Sequence, residues 1–426
     1  MLERKRKLDC ANGREKADLV LKNGNVLNVF TEEVLKADVA ICGDTIVGVG
    51  EYEGKEEIDC TGKYLVPGFI DAHMHIESCM AAPGELAKVL AKAGTTTIIA
   101  DPHEIVNVSG TKGMDYFLKC AAKLLVNVFF MVPSAVPATD VETNGCGEFL
   151  ASDMMKYVDN ARVLGLGETM RFMECCEGEK RMADKLELFA KKHIDGHAPG
   201  IRGKEVQAYR LAGVENDHEC STAEEVLDKL RAGLHIYVRE GSGAKNLETL
   251  IKTMLDAGVC LDRCAFCTDD KHVEEIRKEG HISTCIRKAI ALGVPVAKAY
   301  KMGSYQAAEF YGLKNYGAIG AGYRADIVFL DDLEQVRPLD VMKDGRILTE
   351  EDYAKDYSVP VPDELLHTVH VGEVTKEKIR LSCDGKTDVI QMNPHQIVTT
   401  HLVEEVPTEN GYFKSDGVYN KICVVE

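Results

Sequence analysis

The stretch PGFIDAHMHIESC, residues 67–79, places two histidines, an aspartate and a glutamate at the end of an apolar run. His73 and His75 are two residues apart, so on a β-strand both side chains project from the same face and can bind one metal ion. Alone, the pattern is equally compatible with a partly exposed strand end. The rest of the chain decides between these two interpretations.

Seven further apolar runs follow at intervals typical of alternating strands and helices. Strands are predicted at residues 68–75, 96–103, 127–134, 163–168, 193–198, 213–219, 235–240 and 264–270. The intervening segments are helical; residues 222–233, for example, have Thr222 as a plausible N-cap and Gly233 as the stop. Eight such units predict an α/β fold, a (β/α)8 TIM-type barrel rather than an open sheet.

The segments on either side of the barrel are predicted to form a second, β-rich module. Residues 1–66 carry short strand-like runs with glycine- and aspartate-containing turns, and residues 316–349 return to the same chemistry. We therefore expect a β-sandwich module built from both sides of a barrel at 67–315. Residues 350–426 are predicted to be a linker and an incomplete β-rich C-terminal domain, since the sequence stops within a strand-like run.

The composition is that of a folded protein without an obvious polymeric partner. Of the 426 residues, 45% are hydrophobic and 28% charged, and the net charge of −18 disfavours nucleic acid and anionic membranes. The basic run at residues 4–7 is interpreted as a solvated segment. No apolar stretch reaches the ~18 residues of a membrane span and no signal peptide is visible, so we expect a cytoplasmic protein. Its 15 cysteines are then expected to be reduced.

The functional-looking polar residues of the barrel region recur at the C-terminal ends of the predicted strands. They are His73, His75, His103, Glu168, His197, His218, Arg239, Glu240, Asp269 and Asp270. In a (β/α)8 barrel these ends form the active-site face. Imidazole and carboxylate groups from five strands are more than one tetrahedral ion needs, and Glu168 can bridge two ions. The context therefore favours a metal site.

The same residues lie in strings that resemble the amidohydrolase superfamily. The broad resemblance is carried by PGFIDAHMH (67–75), DGHAPG (195–200), NDHE (216–219), CTDD (267–270) and GAIGAGYRADIV (317–328). A narrower resemblance, to the branch that deaminates adenine, is carried by HIES (75–78), TTTIIADPHEIVNVSG (95–110), SAVPATDVET (134–143), GLGE (165–168) and REGSGAK (239–245). These long strings cover most of the chain.

The resemblance implies a dinuclear divalent metal centre, with Mn(II) or Fe(II) favoured and Zn(II) as an alternative. Carried over position by position, the implied ligands are His73, His75, Glu168 as the bridge, His197, His218 and Asp269. The implied reaction is attack of a metal-bridging hydroxide on C6 of adenine, which gives hypoxanthine and ammonia in purine salvage. Asp269 would take the proton of the hydroxide and pass it toward the leaving nitrogen.

Protonation of the purine ring needs a further acid, and the sequence leaves its identity open. The candidates are Glu77, Glu104, Glu219 and Glu240, of which we assign Glu77 and Glu240 a catalytic role. Contacts to the substrate are assigned to Asp270, Arg239, His103 and Glu104. Two of these assignments have alternatives: His103 as a further metal ligand or as a residue that orients another group, and Arg239 as an ion-pair partner of Glu240.

Other motifs are interpreted as structural. The cysteines of CAFC (264–267) face opposite sides of a strand, so core packing is preferred over a redox pair or zinc site. His193 and His235 open their strands and lie at the stability face of a barrel. Cys79 stands where the family more often has serine.

The C-terminus departs from the family, since the sequence stops before the late HDSHN motif of its relatives. We expect that the remainder is a separate polypeptide, that it has been lost, or that the motif is dispensable. The alternative functions are therefore another amidohydrolase reaction, such as hydrolysis of a cyclic amide or deamination of another ring, and a metal-binding, inactive half of a split or truncated deaminase. The expected small-molecule partner is a purine substrate. The protein itself is expected to form a homo-oligomer.

Overall fold

The structure is a computed structural model and describes residues 2–368 and 370–424. Its strands, in chain order, are β1 (Ala17–Asn28), β2 (Glu33–Cys42), β3 (Thr45–Gly50), β4 (Gly54–Asp59), β5 (Tyr64–Pro67), β6 (Phe69–Met74), β7 (Thr95–Ala100), β8 (Asn127–Val132), β9 (Val163–Leu166), β10 (His193–Ile194), β11 (Asn216–Asp217), β12 (His235–Arg239), β13 (Cys264–Cys267), β14 (Ile327–Leu330), β15 (Asp340–Lys343), β16 (Arg346–Ile347), β17 (Lys386–Gln391), β18 (Thr400–Glu405), β19 (Thr408–Glu409) and β20 (Tyr412–Phe413).

The α-helices are α1 (Leu2–Ala11), α2 (Pro83–Lys92), α3 (His103–Ser109), α4 (Thr111–Ala121), α5 (Ala151–Met154), α6 (Phe172–Glu177), α7 (Lys180–Leu188), α8 (Lys204–Leu211), α9 (Ala223–Arg231), α10 (Leu247–Asp256), α11 (Val273–Glu279), α12 (Ile282–Ala291), α13 (Val296–Met302), α14 (Tyr305–Phe310) and α15 (Glu350–Ala354). Single 3-10 turns lie at Glu77–Cys79, Met155–Tyr157, Leu261–Arg263 and Asp363–Leu365. Among the described residues, none of these helices is long and apolar enough to cross a membrane.

The predicted barrel is confirmed, and its eight strands are β6 to β13. Strands β6 to β10 form a five-stranded parallel sheet and β11 to β13 a three-stranded one. At one seam, Glu215 N donates to Ile194 O over 3.0 Å. At the other, His75 N donates to Asp269 O over 3.2 Å and Asp269 N to His73 O over 3.0 Å. The second seam therefore lies directly beneath the candidate site.

Alternate residues of each strand fill the barrel interior and the layer between barrel and helices. On β13, Ala265 and Cys267 pack inside with Tyr237, whereas Cys264 and Phe266 pack outside with residues of the helices. The two cysteines of CAFC thus face opposite sides, as the period of a strand requires. This confirms their interpretation as packing residues.

Helix ends follow the sequence signals. Thr222 caps α9: its hydroxyl accepts a hydrogen bond from Glu225 N (3.3 Å), and Glu225 Oε2 accepts one from Thr222 N (2.9 Å). Gly233 follows the helix with a φ of +85°, a conformation that favours glycine. The predicted start and stop of this helix are therefore confirmed.

The flanking module is one sheet assembled from both sides of the barrel. Its strand order is β16-β15-β14-β5-β1-β2-β3, with β4 paired to β1. The two chain segments meet where β5 pairs antiparallel with β14, with Val66 opposite Val328. Leu65, Ile327 and Met342 lie in the apolar core of this sheet. A module built from both sides is thereby confirmed.

Helix α1 was not expected from the sequence. The basic run at residues 4–7 lies on this helix, where Lys7 pairs with Glu3 over 2.9 Å and Lys5 with Asp9. Such i,i+4 pairs stabilise a helix that lacks a clear apolar stripe. Cys10, buried against the sheet, attaches the helix to the module. Lys5, Arg6 and Lys7 of this run therefore form intramolecular ion pairs.

The described part of the C-terminal region is β-rich and loosely packed. Two antiparallel hairpins, β17–β18 and β19–β20, follow a long segment with little regular structure. Apolar residues of the first hairpin are largely exposed, Ile390 by 60% and Val403 by 53%. The partial β-rich region that the sequence predicted is present.

Candidate metal centre

Four of the predicted ligands meet at the C-terminal mouth of the barrel. The Nε2 atoms of His73 and His75, at the end of β6, lie 3.3 Å apart. His75 Nε2 is 3.0 Å from Glu168 Oε1 and 3.3 Å from Asp269 Oδ1. All four side chains are buried. Two imidazole nitrogens and two carboxylate oxygens thus point at a common centre.

The second oxygen of Glu168 faces the remaining two predicted ligands. Glu168 Oε2 is 2.5 Å from His197 Nδ1 and 3.4 Å from His218 Nε2. The ring of His218 stacks on that of His73 at a centroid distance of 4.1 Å, so the two groups of ligands are contiguous. Glu168 therefore lies between two sets of imidazoles, one at each oxygen. This is the placement expected of a bridging carboxylate.

The donor set fits a divalent metal ion. Both ring nitrogens of His218 are buried without a hydrogen-bond partner. Buried polar atoms normally have partners, and exceptions indicate a functional role. Two buried groups and one partly buried group each bring their ligand atoms within 4.8 Å of one another: His73, His75 and Asp269; His73, Glu168 and His218; and, partly buried at His197, His197, His218 and Glu219. Imidazole nitrogen and carboxylate oxygen together suit zinc, iron and manganese.

The field at the centre favours positive charge. Burial opposes protonation of His218, yet the carboxylates of Glu168 and Glu219 raise its pKa well above the usual value. The pKa of His75 is raised in the same way, against burial, by Glu104 and Glu168. A cluster that binds protons this strongly also attracts a divalent cation.

Arg239 anchors the carboxylate of Asp269. Its Nη1 donates to Asp269 Oδ2 over 2.7 Å and also to Glu219 Oε1. Burial would raise the pKa of Asp269, but the neighbouring His73 and His75 and the charge of Arg239 hold it well below its usual value. Asp269 is therefore an anion held in a fixed orientation. Glu240 pairs with Lys288 and not with Arg239, whereas the expected substrate contact of Arg239 stays a prediction.

Glu240 is not brought to the cluster. Its Oε1 accepts a hydrogen bond from Lys288 Nζ over 2.6 Å, on helix α12 outside the barrel. Neighbouring residues of a strand point to opposite sides, so with Arg239 turned inward Glu240 must turn outward. This position contradicts the catalytic role expected of Glu240, and an ion pair between barrel and helix replaces it.

The backbone at Asp269 has an unusual conformation. Its φ is +57°, in the left-handed region that aspartate tolerates better than most residues. The hydrogen bonds of its N–H and C=O to His73 and His75 hold the peptide there. Such strain concentrates at functional sites. The turn lets Asp269 face the cluster while Asp270 reaches the rim.

Three of the predicted substrate or acid residues line that rim. Glu104 Oε2 lies 3.3 Å from His75 Nδ1, and Asp270 brings a carboxylate oxygen within 4.8 Å of both. Glu77 Oε1 accepts from Ile105 N over 3.0 Å, while its Oε2 is buried without a partner. Burial and the charge of Glu104 raise the pKa of Glu77 to about 8. The rim thus offers acids next to the metal ligands.

His103 lies behind this rim at the start of α3. Its ring centroid is 6.5 Å from that of His75, and its Nδ1 is buried without a partner. Burial lowers the pKa of His103, so the ring is neutral at pH 7. Within the described residues, His103 Nδ1 makes no hydrogen bond to a predicted metal ligand. Its free nitrogen leaves the expected substrate contact open.

Two buried acids that the sequence analysis did not select support the ligands. Asp101 Oδ2 accepts from Glu168 N over 2.9 Å, and a Cβ on Gly167 would lie only 2.1 Å from that oxygen. Asp217 accepts from the N–H groups of Ala198 and Glu219 over 2.9 and 2.8 Å. Both acids stand at strand ends, within ADPH and NDHE. Their position at strand ends is a sequence signal by which both acids could have been selected.

Comparison with known proteins assigns the chain to a family. The profile of the amidohydrolase family matches residues 64–348. An adenine deaminase of Desulfitobacterium hafniense (strain Y51) is 46% identical over 415 residues, which are 97% of this chain and 72% of that protein. An adenine deaminase of Clostridium acetobutylicum is 43% identical over 427 residues, 99% of this chain and 74% of that protein.

The fold is shared with solved structures. The crystal structure of an adenine deaminase superimposes with a TM-score of 0.59 at 20% identity, over 78% of this chain and 100% of that one. Atrazine chlorohydrolase TrzN from Arthrobacter aurescens TC1, complexed with zinc, superimposes with a TM-score of 0.58 at 16% identity, over 78% and 96%. At these identities the structural likeness concerns the fold, whereas the sequence relatives carry the assignment. The chain belongs to the amidohydrolase family, and within it to the group of the adenine deaminases.

Proposed function

We propose that this chain hydrolyses adenine to hypoxanthine and ammonia. The observation that carries the proposal is the convergence of six side chains on one buried centre, with Glu168 between two sets of imidazoles. The relatives that are 40–46% identical over nearly the whole chain and are named adenine deaminases support the choice of substrate. The net charge of −18 is consistent with a small, uncharged substrate.

We propose that the centre holds two divalent cations, Mn(II) or Fe(II), with Zn(II) as the alternative. Their ligands would be His73, His75, Glu168, His197, His218 and Asp269. Bound metal ions lower the pKa of water and thereby supply a strong nucleophile at neutral pH. Six ligands of mixed nitrogen and oxygen type support two ions better than one.

Asp269 is proposed as the general base. During hydrolysis the oxygen of water adds to C6, the C6–N bond breaks, and the amine leaves as ammonia after gaining a proton. Asp269 is anionic and lies at the cluster, so it can accept a proton from the attacking water and deliver it to the leaving nitrogen. Arg239 Nη1 donates to Asp269 Oδ2, which fixes the orientation of the carboxylate at the cluster.

Glu77 is proposed to protonate the ring nitrogen next to C6. This assignment rests on position: Glu77 follows the ligand His75 by one short turn and has a buried carboxylate oxygen without a partner. The first oxygen is fixed by Ile105 N, so the free one has a defined direction. Asp270, Glu104 and His103 are proposed to line the purine pocket around it.

The physiological setting is proposed from the product. Hypoxanthine is a free purine base, and its formation from adenine belongs to purine salvage, which we place in the cytoplasm. No nucleic acid or membrane is proposed as a partner, in keeping with the acidic net charge. A homo-oligomer is proposed as the working assembly.

The test is a substrate panel on the full chain loaded with Mn(II) or Fe(II). Adenine, guanine, cytosine and dihydrouracil are compared by ammonia release and by chromatography of the products. We expect ammonia and hypoxanthine from adenine, and loss of both in the variants His75→Ala and Asp269→Asn. Ammonia from another base only, or ring opening of dihydrouracil, would assign the chain to a different amidohydrolase reaction.

A further inference from the structure

One loop at the mouth of the barrel contacts the first C-terminal hairpin. The segment from Glu240 to Asn246 connects β12 to α10 and leaves the barrel directly after Arg239. Two hydrogen bonds join it to residues in the loop of the first C-terminal hairpin, between β17 and β18. Lys245 N donates to His395 O over 3.1 Å, and Asn246 Nδ2 donates to Gln396 Oε1 over 2.9 Å. We call residues 393–398 the brace.

The brace continues a series of hydrogen bonds that is partly exposed at Gln396, buried from Asn246 inward, and ends at the metal centre. Gln396 accepts from Asn246, and Asn246 Oδ1 accepts from Arg239 Nη2 over 3.3 Å. Arg239 Nη1 in turn donates to Asp269 Oδ2 over 2.7 Å. Asn246 and Arg239 are 0% and 1% exposed. Water therefore has little access with which to replace a lost partner.

The donor-to-acceptor direction of these hydrogen bonds is fixed by the chemistry of the side chains. A guanidinium group only donates, so Asn246 must turn its oxygen toward Arg239 and its NH2 group away. The NH2 group then requires an acceptor, which Gln396 Oε1 provides. If that acceptor is removed, the buried NH2 group is either left unsatisfied or turns toward the positive charge of Arg239. Both outcomes weaken the hold on Arg239.

Few hydrogen bonds hold the guanidinium group of Arg239, so the loss of one can shift it. Its Nε is buried without a partner, so the guanidinium is held by its two Nη atoms alone. Nη1 is shared between Asp269 and Glu219, and Nη2 donates to Asn246 Oδ1. A shift of Arg239 is transmitted directly to Asp269, because the two groups share a hydrogen bond.

We propose that Gln396 is a positioning residue of the reaction, which acts through Asn246 and Arg239 on Asp269. The C-terminal region thereby contributes to the active site without touching the reacting atoms. The kinetic part of this inference rests on the proposed deamination, whereas its effect on metal retention does not.

The test compares three variants of the full chain. Gln396→Leu removes the acceptor, and Gln396→Glu retains it and serves as the conservative rescue. Gln391→Leu is the matched control, because Gln391 lies exposed on β17 of the same hairpin. Each protein is loaded with Mn(II) and measured for kcat and KM with adenine. The rate of Mn(II) loss to a chelator is measured without substrate.

We expect kcat of Gln396→Leu to fall by about tenfold, the effect of leaving one buried partner unsatisfied beside a charged group, with little change in KM. Its Mn(II) should be lost several-fold faster, since Asp269 is less firmly held. Gln396→Glu should recover most of both properties, and Gln391→Leu should match the wild type. In addition, the double variant Asn246→Ala with Gln396→Leu should have the same kcat and the same rate of Mn(II) loss as Asn246→Ala alone, because both residues act in one series of hydrogen bonds.

Two results would overturn the inference. One is a Gln396→Leu protein that matches Gln391→Leu in both kcat and Mn(II) loss. The other is a full additive loss in the double variant, which would show that Gln396 acts independently of Asn246. Absence of adenine turnover in the wild type would instead refute the proposed reaction, and the chelator assay would still test the brace.

Discussion

Replacing Lys229 by methionine should destabilise the fold through a single buried charge. Lys229 and Asp217 are both 0% exposed, and Lys229 Nζ lies 2.8 Å from Asp217 Oδ1. Lys229 also donates to Ala198 O over 2.7 Å. Methionine has a similar length and no charge, so the change leaves Asp217 as an unpaired buried carboxylate. Removal of one partner of a buried pair costs about 3–5 kcal/mol.

The loss of unfolding free energy in Lys229→Met should become smaller as the pH falls. Burial raises the pKa of Asp217, but Lys229 and His218 lower it to a net value below that of a free aspartate. The stability from this group is present above pH ~4 and declines as pH falls through the folded-state pKa. In Lys229→Met, burial without the charge of Lys229 should instead raise the pKa of the Asp217 carboxyl group. The gap in unfolding free energy between wild type and variant should therefore narrow by up to ~1.4 kcal/mol per pH unit from pH 7 to pH 5.

The assay is urea unfolding followed by far-UV circular dichroism at pH 7 and pH 5. Lys252→Met, at an exposed pair with Glu248, is the matched control and should leave the free energy of unfolding unchanged. The double change Asp217→Asn with Lys229→Met removes both charges and should regain part of the loss. The reasoning is refuted if Lys229→Met is as stable as Lys252→Met, or if its deficit is the same at both pH values.

Three further predictions concern the site and its scaffold. Gly167→Ala should lower the Mn(II) content of the purified protein, because its Cβ would lie 2.1 Å from Asp101 Oδ2, which holds Glu168. Glu104→Ala should weaken Mn(II) affinity by about 10–100-fold, since Glu104 is the partner of His75 Nδ1. His235→Phe should lessen the fall in Tm between pH 7.5 and pH 5.5. Burial lowers the pKa of His235 to about 4, so its protonation favours unfolding as pH falls below ~6.5.

Each of these predictions has a control in the same chain. Gly372→Ala meets no atom within 4 Å and should retain its metal. Glu85→Ala removes an exposed acid and should bind Mn(II) like the wild type. His401→Phe changes a histidine side chain that is 71% exposed and should leave the pH dependence of Tm unaltered. A site variant that behaves like its control contradicts the corresponding argument.

The barrel and the ligand cluster could be predicted because both have local signatures. Strand periodicity marks each strand, and the C-terminal ends of parallel strands must meet at one mouth. Histidine and carboxylate residues at those ends, such as His73 and Asp269, are therefore neighbours in any correct barrel. The pairing of β5 with β14 was similarly visible, since matching strand chemistry stood on both sides of the barrel.

Other features have no local signature. Glu240 and Arg239 are adjacent in sequence, and only the register of β12 decides which one faces the barrel interior. Helix α1 depends on ion pairs and on docking of Cys10, neither of which produces an apolar stripe. The contact between Asn246 and Gln396 spans 150 residues. Hydrogen bonds between such distant segments become visible only in the folded structure.

The most direct test of the account is a titration of the metal-free chain with Mn(II), followed by adenine turnover at each step. We expect that activity rises with bound metal and is complete at two equivalents per chain, with hypoxanthine and ammonia formed in equal amounts. Full activity in the metal-free protein, or no turnover of adenine at any metal content, would contradict it.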